Sequence, residues 1–356
     1  MRISIAYDKC TVHEAANFPI TAGLYLGAPE TLSAGSAAID LKSTTGATII
    51  DKSFAYVNAA DNASAGEYTL LIGGDIEVAG SNSRALIANN ARLTIMGIGK
   101  MRTISLTSHG RMFDVGAGQD QTNLSLILGN NITLKGWDGN NQSVVCVRNG
   151  AVFTMQGNSK ITKNKTIFDG GGVNVSSASF IMKDTSSVSG NKAENNGGGV
   201  FVDSGSFTME DNASVSNNIA RYGGGVYIMA EESVYSMKGN TAVSKNSAEY
   251  GGGINLRRGI FNMQGGIISG NSAVQGGGLD IQQPQAAAYI SNGIIYGNNA
   301  AGRFANTASN CGAALFIWGN NGTAEHGSYS GGTWTGAAIP TVGSGYYIFR
   351  DVTIEV

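Results

Sequence analysis

Proline is almost missing from this chain, at 4 of 356 residues, so its many glycines are not those of a collagen-like helix or a proline-rich linker. Charge is scarce too. Asp, Glu, Lys and Arg make up 13% of the chain, about half the ~25% of an average soluble protein, and the formal net charge is −2. With no Lys/Arg cluster, nothing here attracts a phosphate backbone, and no nucleic acid is expected as partner. No run of ~18 apolar residues occurs, so no membrane span is expected. The opening Met1-Arg2-Ile3-Ser4-Ile5-Ala6-Tyr7-Asp8 lacks the apolar core of a secretion signal. Cys10, Cys146 and Cys311 are too few and too far apart for a disulfide framework or a zinc site. No spacing asks for a metal or another cofactor.

Glycine is abundant, at 52 residues, about twice the ordinary ~7%. Much of it recurs as triplets, at 170–172, 197–199, 223–225, 251–253 and 276–278, whose first residues are 27, 26, 28 and 25 apart. A strand-like run follows each triplet, such as Val173-Asn174-Val175 or Val226-Tyr227-Ile228. Next comes aromatic-x-Met: Phe153-Thr154-Met155 ahead of the first triplet, then Phe180-Ile181-Met182, Phe207-Thr208-Met209, Tyr235-Ser236-Met237 and Phe261-Asn262-Met263. A third element ends in asparagine, at Asn164, Asn191, Asn218, Asn246, Asn271 and Asn298. Each repeat thus holds three short alternating strand signals parted by Gly, Asn or Ser turns, with no room for a helix of ten residues. The expected fold is all-β: a right-handed single-stranded parallel β-helix, with three strands per rung and rungs of about 25–28 residues. Like residues then stack at ~4.8 Å, giving Phe and Met columns inside and an amide ladder of asparagines at one turn. An asparagine there also tolerates the left-handed conformation of a sharp turn.

The repeat weakens toward both ends. Gly110-Arg111-Met112-Phe113-Asp114-Val115 reads as a degenerate triplet and strand. Leu124-Ser125-Leu126 and Leu93-Thr94-Ile95 take the aromatic-x-Met position, and residues 69–78 the first rung. Downstream, Ala288-Tyr289-Ile290 continues the columns, residues 303–310 read as an inserted loop, and 311–317 as a modified triplet strand. An open rung is an exposed sheet edge, so the ends need covers. The expected division is a β-rich extension or cap over 1–45, a capping-helix region over 46–65, the β-helix over 66–330 and closing strands over 331–356. The helix is expected over 53–62, with Ser53 as N-cap and Phe54 and Val57 inward.

Gly-Gly-Gly-Val with Val-Ser-x-Asn resembles the paired GGA[ILV] and FxxN repeats of chlamydial polymorphic outer-membrane proteins. Related repeats occur in other bacterial surface proteins of the pectate-lyase-like β-helix class. The resemblance covers about residues 65–320, with Gly in place of the motif Ala and Val or Ile in place of the motif Phe. It implies an exported, extracellular or cell-surface protein used in adhesion, and no catalytic residues.

Parallel β-helices also carry polysaccharide lyases and glycoside hydrolases, which need paired carboxylates in one groove. Here Asn306-Thr307 is followed by Ala308, no Asp-Asp pair exists, and Ser108-His109-Gly110 is the nearest approach to a Gly-His-Gly signature. Lys183, Glu210 and Lys238 each follow a column Met and read as a solvated charge ladder, with Asp184 and Asp211 stacked one position later. Tyr222 and Tyr250, one rung apart before their triplets, could offer an aromatic platform to sugar rings, with Arg221 and Glu249 as polar contacts. Glu325-His326, near Trp318 and Trp334, is a second place for sugar contacts. Three readings follow: a non-catalytic adhesin-like module that binds glycans or cell surfaces through a lateral face, a polysaccharide lyase or glycoside hydrolase, and a structural spacer or phage-fibre component. The expected oligomeric state is a monomer or a lateral homo-oligomer.

Overall fold

Side chains that recur every 25–28 residues can stack only if each repeat makes one full turn, and the computed structural model shows that arrangement. It describes residues 22–318, apart from 34, 45, 60–65, 82–83, 119–121, 283–284, 298–301 and some side chains near the end, together with the backbone of short strands between 324 and 355. The chain is nearly all β, a parallel β-helix of about eight turns. Three columns of parallel strands run along it. One holds aromatic-x-Met, from Glu67–Ile72 through Val152–Met155 to Gly259–Ser269. The second holds Val-Ser, for example Ser187–Ser189 and Ser214–Ser216. The third holds the strands after the triplets, from Ala85–Leu86 to Leu315–Trp318.

Inside, the aromatic column is a continuous stack. Phe153, Phe180, Phe207, Tyr235 and Phe261 follow one another at centroid separations of 5.1, 4.9, 4.9 and 5.0 Å. Leu93-Thr94-Ile95 does occupy this position, and so does Ala288-Tyr289-Ile290. Residues 124–126 do not. Leu126 pairs with Phe153 and Leu128 with Met155, so the strand is Leu126-Ile127-Leu128, two residues later than the alternation suggested. A shift of two keeps the same side chains inward, so the pattern alone could not detect it.

The glycine triplet has two causes. Its first residue is left-handed, as at Gly197 with φ +62°. The others lie against the next rung's backbone: a Cβ on Gly199 would sit 2.7 Å from the Gly225 carbonyl oxygen. Beside the triplet the asparagine ladder runs amide to amide from Asn191 to Asn306. Asn191 donates from its backbone N–H (2.9 Å) and from Nδ2 (3.2 Å) to Oδ1 of Asn218, and Asn218 and Asn246 repeat the pattern toward Asn246 and Asn271. The left-handed residue is not the ladder asparagine but its predecessor: Lys163, Gly190, Asn217, Lys245 and Gly270 have φ between +56° and +67°. The ladder's ends also differ from the spacing. Asn306 follows Asn271, accepting from its N–H at 2.8 Å, so the extra residues fall before Asn306 rather than over 303–310. Asn298 lies outside the described residues. At the other end Asn140 donates to Asn164 Oδ1 at 3.0 Å.

The expected charge ladder is present, with Lys183 and Lys238 at 3.8 and 3.6 Å from Glu210. Asp184 and Asp211 are left-handed turn residues whose carboxylates accept backbone N–H bonds from the preceding rung, Gly157 at 2.7 Å and Asp184 at 3.0 Å. That use of the carboxylates explains why two like charges can stack there.

The first rung is covered by strand Gly23–Leu26, antiparallel to Glu67–Ile72, and by helix Ile49–Asn58. The helix begins four residues before the expected start. Thr48 is the N-cap and forms a reciprocal capping box with Asp51, while Ser53 sits inside the helix, buried and donating to the Ile49 carbonyl. Phe54 and Val57 do point inward, and Phe54 stacks on Phe113 at 5.1 Å. Asp51 also pairs with buried Arg84 at 2.7 Å. Burial raises its pKa, but the bonds from Thr48 and Arg84 prevail and hold it below the ordinary value. At the C-terminal side, strands Ile348–Phe349 and Thr353–Glu355 pair in parallel with Ala286–Tyr296.

Candidate functional site

Alternation along the post-triplet strand puts its first and third residues in the core and its middle residue outside. That middle position reads Asp114, Cys146, Asn174, Phe201, Tyr227, Asn255, Asp280 and Phe316 up the column. Its chemistry changes at nearly every rung, whereas its neighbours stay Val, Ile, Leu or Phe. Most of these outward side chains are nevertheless buried: Asp114, Cys146, Phe201, Tyr227, Asn255, Asp280 and Phe316 are all at most 6% exposed. Phe201 and Tyr227 do not belong to the contiguous apolar core.

At Tyr227 the turn that precedes the triplet provides the cover. Tyr222 sits edge-on to Tyr227, at 6.3 Å and 66°, five residues earlier in the same rung. Tyr222 and Tyr250 stack at 5.0 Å with their planes 12° apart, and the Arg221 guanidinium lies 5.3 Å from the Tyr222 ring centre. Arg221 and Glu249 form an ion pair at 3.1 Å. The structure therefore brings all four sequence-selected residues together. It also changes the nature of the platform. Residues that stack along a β-helix spend their ring faces on each other, so the tyrosines offer edges and hydroxyls outward rather than a flat double surface. Burial and the neighbouring Glu249 carboxylate raise the Tyr250 pKa. The hydrogen bond to Glu249 raises that of Arg221. Exposed Ile167, Phe168, Ile219 and Val274 occupy the same turn on nearby rungs and give the face an apolar margin.

On the N-terminal side of the tyrosines stand Asp169 and Asp203. Burial pushes the Asp169 carboxyl above its ordinary value, against two hydrogen bonds from Asn196 (3.1 and 2.8 Å), and Asp203 adds to the rise. Phe201 stacks with Tyr227 at 5.8 Å, and Arg257 bonds the Tyr227 side chain, whose pKa burial raises. Further along, Asp114 is clamped by Arg148 (2.9 and 2.6 Å) and Arg111 (3.0 Å), beside buried Cys146, whose thiol burial pushes up.

The remaining sequence candidates have structural work. His109 packs edge-on against Trp137 at 4.9 Å, and Asn306 belongs to the amide ladder. His326 lies outside the described residues, as do the side chains of Glu325, Trp318 and Trp334. Sequence reasoning missed the outward column itself. Its signal was present, as a middle position that varies while both flanks stay apolar.

Among the described residues no helix is long and apolar enough to cross a membrane. No protein-family model, curated protein or solved structure matches this chain.

Proposed function

We propose that this chain is a non-catalytic β-helix module of an exported or surface-exposed bacterial protein that binds glycans through the lateral face centred on Tyr222 and Tyr250. The observation that carries the reading is the stacked tyrosine pair bracketed by the Arg221–Glu249 ion pair, beside exposed Ile219 and Val274. A pyranose has apolar C–H faces and a rim of hydroxyls, and this face pairs apolar margins with phenol, guanidinium and carboxylate groups. The resemblance to chlamydial polymorphic outer-membrane proteins and pectate-lyase-like surface proteins supports the same reading and supplies the expectation of export.

The test is a glycan array probed with the intact chain, followed by titration of any ligand found. Tyr222→Ala and Tyr250→Ala should each weaken binding at least tenfold while leaving far-UV circular dichroism unchanged. A wild-type chain that binds no glycan on the array, or variants that bind as well as wild type, would overturn the reading.

The enzyme reading gains one specific observation, the raised Asp169 carboxyl with Asp203 in electrostatic reach on the same face. Glycosidic cleavage uses two carboxyl groups, one of them held protonated to serve as the acid. A reducing-sugar and unsaturated-uronide assay over a polysaccharide panel separates the two. Turnover abolished by Asp169→Asn or Asp203→Asn would replace the adhesin reading with a hydrolase or lyase.

A further inference from the structure

The lateral face ends, on the C-terminal side of Tyr250, in a cluster of amide and carboxylate groups that the glycan reading does not use. Asn255 and Asp280 are strand neighbours in the outward column, and both are fully buried. Asn255 Nδ2 donates to Asp280 Oδ2 at 2.9 Å, and Gln282 Nε2 donates to the same oxygen at 2.8 Å. Gln275 belongs to the covering turn of this rung. It holds the place that Tyr222 and Tyr250 hold in theirs, and its backbone bridges to Tyr250. The next residue, Gly276, is pressed so closely on Asp280 that a Cβ there would lie 2.5 Å from the aspartate Cβ. Gln275 precedes Asp280 by the same five residues that separate Tyr222 from the Tyr227 it contacts.

Two acceptors in this cluster, Asn255 Oδ1 and Gln275 Oε1, are buried and lack a hydrogen-bond partner. Orphaned oxygens of this kind are costly and ask for an explanation. Buried beneath the turn, these oxygens are closed to a group as large as a sugar ring, and only a small occupant can reach them. A water molecule would satisfy the two amides alone. A hard cation takes both amide oxygens and a carboxylate oxygen as ligands at once, and oxygen-only donors suit calcium or magnesium rather than a soft metal. The geometry points to a calcium site formed by Asn255 Oδ1, Gln275 Oε1 and the Asp280 carboxylate. Calcium is preferred because it accepts irregular sets of amide, carboxylate and water oxygens, whereas magnesium requires a near-ideal octahedron. Among the described residues no group of three His, Cys, Asp or Glu could hold a metal, and this site has one acid only. Its low ligand charge places the expected Kd at roughly 0.1–1 mM, the range of extracellular calcium modules.

The site is independent of glycan binding and is tested without it. Metal-stripped protein is titrated with Tb³⁺, whose emission is sensitised by the nearby Tyr250, and Ca²⁺ and Mg²⁺ are then added as competitors. Saturable emission that Ca²⁺ displaces better than Mg²⁺ is the expected result. Gln275→Leu, at a half-exposed position, should weaken Tb³⁺ binding at least tenfold with unchanged circular dichroism, and so should Asp280→Asn. Asn255→Leu is the more drastic change, and if it fails to fold the Gln275 variant still decides. No saturable emission, or equal affinity in wild type and Gln275→Leu, overturns the site and leaves a buried water as the occupant. In the same protein 10 mM CaCl₂ should raise the melting temperature by about 2–4 °C, and in Gln275→Leu by about half as much or less.

Discussion

The aromatic-x-Met column and the outward column after the triplets run side by side along the same coil and obey opposite rules. The first repeats one side chain: five rungs put Phe or Tyr at one site and Met two residues later. The second passes from Asp114 and Cys146 through Phe201 and Tyr227 to Asn255 and Asp280, yet is almost as buried. A column that must only stack is satisfied by repetition, because each rung presents its neighbour with its own shape. A buried column whose residue changes at nearly every rung cannot be explained by repetition of one shape. It is held by particular partners, such as Arg148 for Asp114 or Tyr222 for Tyr227. The difference separates scaffold from candidate site without reference to any other protein.

The contrast can be broken by substitution. Phe207→Ala removes the middle of the aromatic stack and should cost about 3–5 kcal/mol, measured by denaturant unfolding. Phe201→Ala, in the outward column, should cost less than half as much, because its ring is bounded by movable side chains. Equal costs would mean that the outward column is core. Asn218→Ala leaves the N–H and Nδ2 of Asn191 without their acceptor and should cost about 2–3 kcal/mol. Lys245→Ala, exposed one residue before the next ladder asparagine, should stay within about 0.5 kcal/mol. Matching unfolding midpoints for the two would argue against a working ladder.

The next test uses the sign of a titration. Asp169 has a raised carboxyl, so the stability tied to its proton is complete below the unfolded value, near 3.8, and is lost as pH rises through the folded value. Asp169→Asn should therefore be more stable than wild type at pH 7, with the gain shrinking toward pH 3. Asp51 has the opposite sign. Its lowered carboxyl gives stability above the unfolded value that disappears as pH falls through the folded one. The smallest expected effect is at Glu210, whose two lysine contacts are exposed; Glu210→Ala should change stability by less than about 0.5 kcal/mol, and less still in high salt.

The scaffold was readable because β-helix rungs copy one another. Period, three columns, asparagine ladder and charge ladder all follow from spacing, and an error of two residues at 124–126 costs nothing in polarity pattern. The covering helix starts before Ser53, itself a plausible cap residue, because Thr48 and Asp51 have the spacing of a capping box and form one. The inserted residues fall earlier than the spacing suggests, because Asn298 continues the period where the ladder takes Asn306. At the site, the meeting of Arg221, Tyr222, Glu249 and Tyr250 was legible from rung arithmetic. The orientation of the rings was not, since spacing gives neighbours and not the direction of a ring plane. The link from the covering turn to the outward column, as between Tyr222 and Tyr227, is a contact within one rung and leaves no period to detect.

The asparagine ladder has a consequence for the history of the chain. From Asn191 to Asn271 each ladder amide donates to the Oδ1 of the next in the same sense, so each of these rungs meets the next with an identical socket and an identical plug. Inserting or deleting one whole repeat, for instance residues 192–218, would reconnect like with like, whereas a single extra residue within a strand would turn the rest of that strand inside out. Length is therefore the trait such a coil changes most cheaply, by copying or dropping units, while a face that differs on every rung records which copies have been put to separate uses.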